Sequence, residues 1–162
     1  VSIIIRKYRR GDETAISELV CRTLVESNSK DYPSDYIENA VAEHSPEQIS
    51  KNIADAHCYA VCDGEKIVGT GSITGYWGST VESYLMTIFV LPEYQGHGIG
   101  TRIIETLESD EYFKRAYRTE VAASITAERF YRKLGYEPKN GIRSVDEFGT
   151  IRLEKFIGDF KR

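Results

Sequence analysis

Apolar and polar residues recur along this chain with two periods, and the changes of period mark its elements. Ser2 to Arg6 is a short apolar run that predicts a first strand. Gly11 and Asp12 open a helix, with Asp12 as the expected N-cap. Ala15, Ile16, Leu19, Val20 and Leu24 form its stripe at helical spacing. After the polar break Ser27 to Asp31, Pro33 and Ser34 start a second helix with Ile37, Ala40 and Val41 inward. Ser45-Pro46-Glu47-Gln48 begins a third: serine caps, proline takes the first helical position, and glutamine stands where a capping box wants it.

The middle of the chain changes to a two-residue period. Cys58 to Cys62 predicts a strand, Asp63-Gly64 a turn, and Lys66 to Thr74 the returning strand. Val81 to Val90 is the longest strand. By strict alternation Tyr84, Met86, Ile88 and Val90 fall on one side, Leu85 and Phe89 on the other. A strand apolar on both faces is covered on both, so it is expected in the centre of a sheet. Pro92 ends it. A helix after Gly100 carries Ile103, Ile104 and Leu107, and Arg118 to Ala123 is the next strand. Ser124 is placed to cap a helix running to Leu134, stopped by Gly135. Two strands, about 141–145 and 150–156, close the chain. The order predicts one α/β (α+β) domain over residues 1–162, a mixed sheet with helices on both faces.

Composition narrows the function. A net charge of −4 disfavours nucleic acid as the main partner. No apolar run approaches the ~20 residues of a membrane span, and the N-terminal residues lack the order of a secretory signal. Three cysteines are too few and too unevenly numbered for a disulfide framework. Cys58 and Cys62, four apart in a strand, would stand roughly 13 Å apart, too far to bridge. Reduced thiols fit a cytoplasmic protein. His44, His57 and His97 are scattered, and no Cys or His pair has zinc spacing, so no metal is expected.

The informative stretch is Val90-Leu91-Pro92-Glu93-Tyr94-Gln95-Gly96-His97-Gly98-Ile99-Gly100-Thr101-Arg102, where a covered strand ends, three glycines alternate and a helix begins. Main-chain N–H groups at a helix start are unsatisfied and carry partial positive charge, and glycine lets a phosphate approach them. The chemistry points to an anion site, a pyrophosphate by preference. A Walker loop needs Gly-Lys-Ser/Thr, whereas Gly100 precedes Thr101 and Arg102. A dinucleotide fingerprint needs Gly-x-Gly-x-x-Gly and a distal acid; here the spacing is Gly-x-Gly-x-Gly, and Glu120 stands near the start of its strand. A turn with no ligand is the third alternative.

Gln95-Gly96-His97-Gly98-Ile99-Gly100 resembles the Gln/Arg-x-x-Gly-x-Gly/Ala signature of the Gcn5-related N-acetyltransferases. Glu120 to Tyr136, with its Ala127-Glu128-Arg129-Phe130-Tyr131-Arg132-Lys133-Leu134-Gly135-Tyr136 ending, is similar to a second segment of that family, in the same order and at the same distance. The resemblance covers about residues 82–137. It implies the acyl-CoA N-acyltransferase fold, a mostly antiparallel six- to seven-stranded sheet splayed between the fourth and fifth strands. It also implies acetyl-CoA as co-substrate, direct transfer to the primary amine of a small molecule or amino-acid-like substrate, and a homodimer as a common assembly. A protein or peptide amine, or an acyl-CoA sensor without turnover, are the alternatives.

The resemblance also assigns residues. Ile88, Phe89 and Val90 would pair with the pantetheine arm. Main-chain amides from Gln95 through Gly96, His97, Gly98, Ile99 and Gly100 to Thr101 would hold the pyrophosphate. The backbone N–H near Ile88 would meet the oxyanion. Tyr131 would donate to the leaving sulfur, although aromatic packing also explains it. Ser124, where many members carry asparagine, would contact pantetheine or simply cap a helix. Glu82 is the one carboxylate on its strand and the expected general base, with a solvated strand-end charge as the plain alternative. Tyr32, Tyr36, Tyr76, Trp77 and Tyr84 are expected walls of the acceptor site, able to hold an ammonium by cation–π attraction or merely to pack.

Overall fold

The computed structural model describes residues 2–158. Seven strands form one sheet: β1 (Ile3–Lys7), β2 (His57–Asp63), β3 (Lys66–Gly75), β4 (Glu82–Val90), β5 (Arg118–Ser124), β6 (Glu137–Pro138) and β7 (Thr150–Phe156). Their spatial order is β1-β2-β3-β4-β5-β7-β6, and every neighbouring pair is antiparallel except β4 and β5. Six α-helices lie among the described residues: α1 (Glu13–Glu26), α2 (Ser34–Ala42), α3 (Pro46–Ile53), α4 (Ile99–Glu108), α5 (Glu111–Lys114) and α6 (Glu128–Lys133). This is the mixed sheet with flanking helices that the pattern predicts, with the mostly antiparallel pairing that the resemblance implies.

The two predicted helical stripes supply the core. Ile16, Leu19 and Val20 of α1 and Ile103, Ile104 and Leu107 of α4 are buried against β3 and β4. Burying such a side chain contributes roughly 1.5–3 kcal/mol. Ser45 caps α3 as expected, its hydroxyl accepting from the Gln48 N–H at 3.2 Å.

Three local expectations are corrected, and one short helix adds to the predicted elements. Asp12 does not cap α1. Its carboxylate is taken by the Arg6 guanidinium at 2.8 Å and the Arg9 N–H at 2.7 Å, which tie the end of β1 to the helix start. Ser124 caps only a turn, accepting from the Ala127 N–H at 3.1 Å, and α6 begins four residues after it. The strand expected at about 141–145 is a loop. Asn140 and Gly141 both take positive φ, and Asp146 gathers the Phe148 and Thr150 N–H groups into a tight turn. Only Val145 bridges to Ile151. Finally, α5 escaped the pattern because it is a single turn, started by Asp110 accepting from the Tyr112 N–H.

The most consequential correction concerns β4. Its register on β3 pairs Ser72 with Met86 and Thr70 with Phe89, so Gly71 alone opposes both Thr87 and Ile88. That is a β-bulge. Thr87 takes φ 53°, rare for a β-branched residue. Alternation therefore breaks: Met86 and Phe89 share one face, and Ile88 turns to the other, towards Ile103 and Leu107 of α4 around Gly71.

Candidate active site

β4 and β5 pair only from Glu82–Arg118 to Leu85–Val121. Beyond that point they diverge, and a cleft of about 760 Å³ opens between them. Its lining includes Tyr84 to Val90 on one wall, Val121, Ala122 and Ser124 on the other, and Gly96, Gly98, Gly100 and Thr101 at one end. The bulge falls where the strands part. Leu91 donates its N–H to Val68 on the β3 side at 2.9 Å, so alternation turns the Val90 N–H towards the opening. The Val90 carbonyl is already engaged, accepting from Gln95 Nε2 at 2.9 Å and Thr23 Oγ1 at 3.4 Å. Of the three residues expected to pair with an extended ligand, Ile88, Phe89 and Val90 all line the cleft, but the Val90 carbonyl is spent within the protein.

The glycine loop leaves its main-chain amides open at the start of α4. Gly98 precedes α4 with φ 79°, and a Cβ there would meet nothing within 4 Å, so its surface faces open space. Gly100 serves packing instead: a Cβ there would stand 3.0 Å from the Phe130 ring of α6. No main-chain N–H from Gly96 to Thr101 donates to an acceptor among the described residues, and the first helical bond of α4 is Arg102 N–H to Gly98 at 3.1 Å. Those amides, at a helix start, are available to a diphosphate. Gln95 departs from expectation. Its own N–H goes to Pro92 at 3.2 Å, and its side chain braces the end of β4 and reaches Ser27. The His97 side chain is exposed and Ile99 is buried, so neither side chain enters the cleft.

Tyr131 projects from α6 into the cleft wall, 5% exposed. Burial, aided by Tyr84, pushes its pKa well above the usual phenol range, so the group stays protonated. Its hydroxyl has no hydrogen-bond partner among the described residues. Ser124 lines the same wall with its hydroxyl turned to Ala127.

Glu82 is placed otherwise than a base requires. It stands outside the cleft lining, and its Oε2 accepts from Arg118 Nη1 at 3.0 Å. Arg118 is the hub of a buried network: it also donates to Glu154 at 2.6 Å and to Glu120. Glu120, fully buried, is met in addition by Lys139 at 3.0 Å and Arg152 at 3.1 Å. Burial pushes the Glu120 pKa up, but the bonds from Arg118 and Lys139 outweigh it and hold the carboxylate below its usual range. That network also removes Glu120 as a ribose ligand, and with it the dinucleotide alternative.

The five aromatic residues expected around an acceptor divide. Tyr32, Tyr36 and Tyr84 line the cleft; Tyr76 and Trp77 stand behind Tyr84, their rings 6.3 and 4.9 Å from it. The Tyr76 ring is occupied by Arg118 and Lys139 of the protein itself. Tyr32 spends its hydroxyl on the fold, donating to Gly149 at 2.6 Å and accepting from the Ile125 N–H at 2.8 Å; burial raises its pKa to about 12. Tyr36 stacks on it at 4.2 Å and donates to Phe148. Sequence reasoning missed Thr87, Glu43 and His44, all of which line the cleft. A bulge leaves no signature in an unbroken apolar run, and a helix end carries no label of what it faces.

The model of the acetyltransferase (GNAT) domain matches residues 54–138, slightly more than half of the chain. The chain belongs to the GNAT acetyltransferase family. An uncharacterised acetyltransferase of Streptococcus pyogenes serotype M1 is 32% identical over 80 residues, 49% of this chain; the match spans 55% of that relative's length. The uncharacterised N-acetyltransferase YafP of Escherichia coli K12 is 25% identical over 136 residues, 84% of this chain and 82% of its own. Among solved structures, PaiA N-acetyltransferase from Thermoplasma acidophilum in complex with coenzyme A superposes with a TM-score of 0.78 at 18% identity, covering 97% of this chain and 100% of that one. An aminoglycoside 6'-N-acetyltransferase complexed with coenzyme A gives 0.69 at 17% identity, over 94% and 96%. At such identities the likeness is one of fold.

Proposed function

We propose that this chain is an acetyl-CoA-dependent N-acetyltransferase that acts on the primary amine of a small molecule, with residues 1–162 as one catalytic domain in the cytoplasm. The observation that carries this reading is the open half of β4: a bulged strand edge beside a cradle of unpaired amides from Gly96 to Thr101. Acetyl-CoA supplies an activated acyl group as a thioester. The Gly96–Thr101 amides hold its diphosphate, and the Ile88 and Val90 main chain aligns its pantetheine arm. The bulge turns an N–H at Thr87–Ile88 to the carbonyl oxygen, where a preorganised donor is worth most. Tyr131, kept protonated by burial, donates a hydrogen bond to the departing sulfur. No covalent enzyme intermediate is needed.

A small acceptor fits the roofing of the cleft by α2, Tyr32 and Tyr36. No helix among the described residues is long and apolar enough to cross a membrane. The test is calorimetric titration with acetyl-CoA, followed by incubation with an alkylamine, an arylalkylamine, an amino acid amide and a lysine peptide while free thiol is measured. Thiol release with a small amine is expected. Binding without release from any amine would make the protein a sensor, and release with the lysine peptide alone would make its acceptor a protein.

A further inference from the structure

With Glu82 outside the cleft, the reaction still needs a group to take a proton from the acceptor's ammonium. We propose that His44, just beyond the end of α2, is that group and acts through Nε2; this rests on the transferase reading above. The titratable side chains lining the cleft are five tyrosines, one lysine, one glutamate and one histidine. Phenols and an ammonium are protonated near pH 7 and offer no useful basicity. Between a carboxylate and an imidazole, the imidazole is ordinarily the closer match to neutral pH, which favours it as a general base.

Geometry supplies the stronger argument. His44 Nδ1 stands 2.7 Å from the Ala40 carbonyl oxygen. A carbonyl only accepts, so Nδ1 carries the hydrogen, and in the neutral ring Nε2 keeps its lone pair. The residue is anchored on its other side, where its own carbonyl accepts from the Ser17 hydroxyl at 2.6 Å and from Cys21 Sγ at 3.8 Å. The ring meets Phe89 edge-on at 6.0 Å. Phe89 lies two residues past the bulged Thr87, on the strand face shared with Met86. An imidazole of fixed tautomer thus overlooks the strand that carries the proposed oxyanion donor. The titratable groups beside it are Glu43, its neighbour in the chain, and Cys21 of α1, while from β4 the Phe89 ring meets the imidazole. Glu43 lines the cleft, makes no ion pair among the described residues, and is suited to draw an ammonium to the same spot.

The ammonium gives one proton to Nε2, which forms imidazolium. The freed lone pair forms the N–C bond, the C–S bond breaks, and its electron pair leaves on sulfur. The surplus proton on the new amide nitrogen passes to that thiolate, and imidazolium returns its own proton to water.

The test uses the amine that gives the highest rate in the panel above. For the wild type, kcat/KM should rise with pH along a limb that His44→Gln lacks. His44→Gln should lose about 10²-fold at pH 7. The loss should shrink as pH approaches the acceptor's own pKa, where solution supplies neutral amine. Its Kd for acetyl-CoA should stay within about twofold, and added imidazole should restore part of the rate of His44→Ala. An unchanged pH profile in His44→Gln would overturn the assignment and leave the transferase reading intact. Should the variants fail to fold, ¹⁵N NMR of the wild type decides: a hydrogen on Nε2 rather than Nδ1 of the neutral ring excludes it. A wild type that releases no thiol with any amine defeats both readings together.

Discussion

β4 has two halves that differ in what they bond to. From Glu82 to Leu85 it is zipped in parallel to β5, with Arg118, Glu120 and Glu154 joining it to the strands beyond. From Met86 to Val90 it has a partner on one edge only, is bulged, and turns main-chain groups to an open cleft. The first half is held by side chains and the second is used through its backbone. The zipped half fixes where the strands part, and so fixes the position of the opening against the glycine loop.

The largest expected effect breaks the zipped half. Glu120→Ala leaves Arg118, Arg152 and Lys139 facing a cavity without their central carboxylate, and should cost about 3–5 kcal/mol in urea denaturation. The same network gives a pH signature. The Glu120 pKa is lowered in the fold, so its stabilisation is complete above the unfolded value, near ~4.3, and drains away as pH falls through the lower folded value. Acid melts should show that loss in the wild type and not in Glu120→Ala.

The open half is tested next. Gly98→Val forces a β-branched residue to φ 79° and projects a side chain into the anion cradle. Acetyl-CoA affinity should fall about 10²-fold by calorimetry, equivalent to about 2.7 kcal/mol, with folding retained; unchanged affinity would remove the loop from the site. Tyr131→Phe removes the hydrogen bond proposed for the departing sulfur, so kcat should drop about tenfold or more with little change in acetyl-CoA affinity. The smallest effect sharpens the boundary between the halves. Glu82→Gln should lower stability by about 1 kcal/mol and leave the pH profile of turnover unmoved, because Glu82 serves Arg118 rather than the acceptor. A displaced profile would restore it as the base.

The contrast also explains what the sequence disclosed. The glycine loop and the two helical stripes were legible because backbone demands select residue types: glycine for positive φ and close approach, apolar residues every three or four positions for a buried helix face. The open cleft followed from the resemblance in the glycine loop and the Tyr131 segment. The acceptor end was not legible. Tyr76 and Trp77 look like cage residues in a string of letters, yet the fold turns Tyr76 to the protein's own Arg118 and Lys139. Glu82 was the visible carboxylate, but strand pairing delivers Arg118 beside it from 36 residues away. His44 was one of three scattered histidines until α2 swung it over Phe89.

Tyr32 has a bearing on how such a site can be altered. One phenol oxygen joins three segments that are far apart in sequence: the connection before α2, the turn after β5 at Ile125, and the loop before β7 at Gly149. An engineer who wants a different acceptor cannot graft those segments one at a time. Replacing the Tyr32 segment releases both of the others, and moving either of those strands one bond of the phenol, so a change at this mouth has to be designed as a single coupled move.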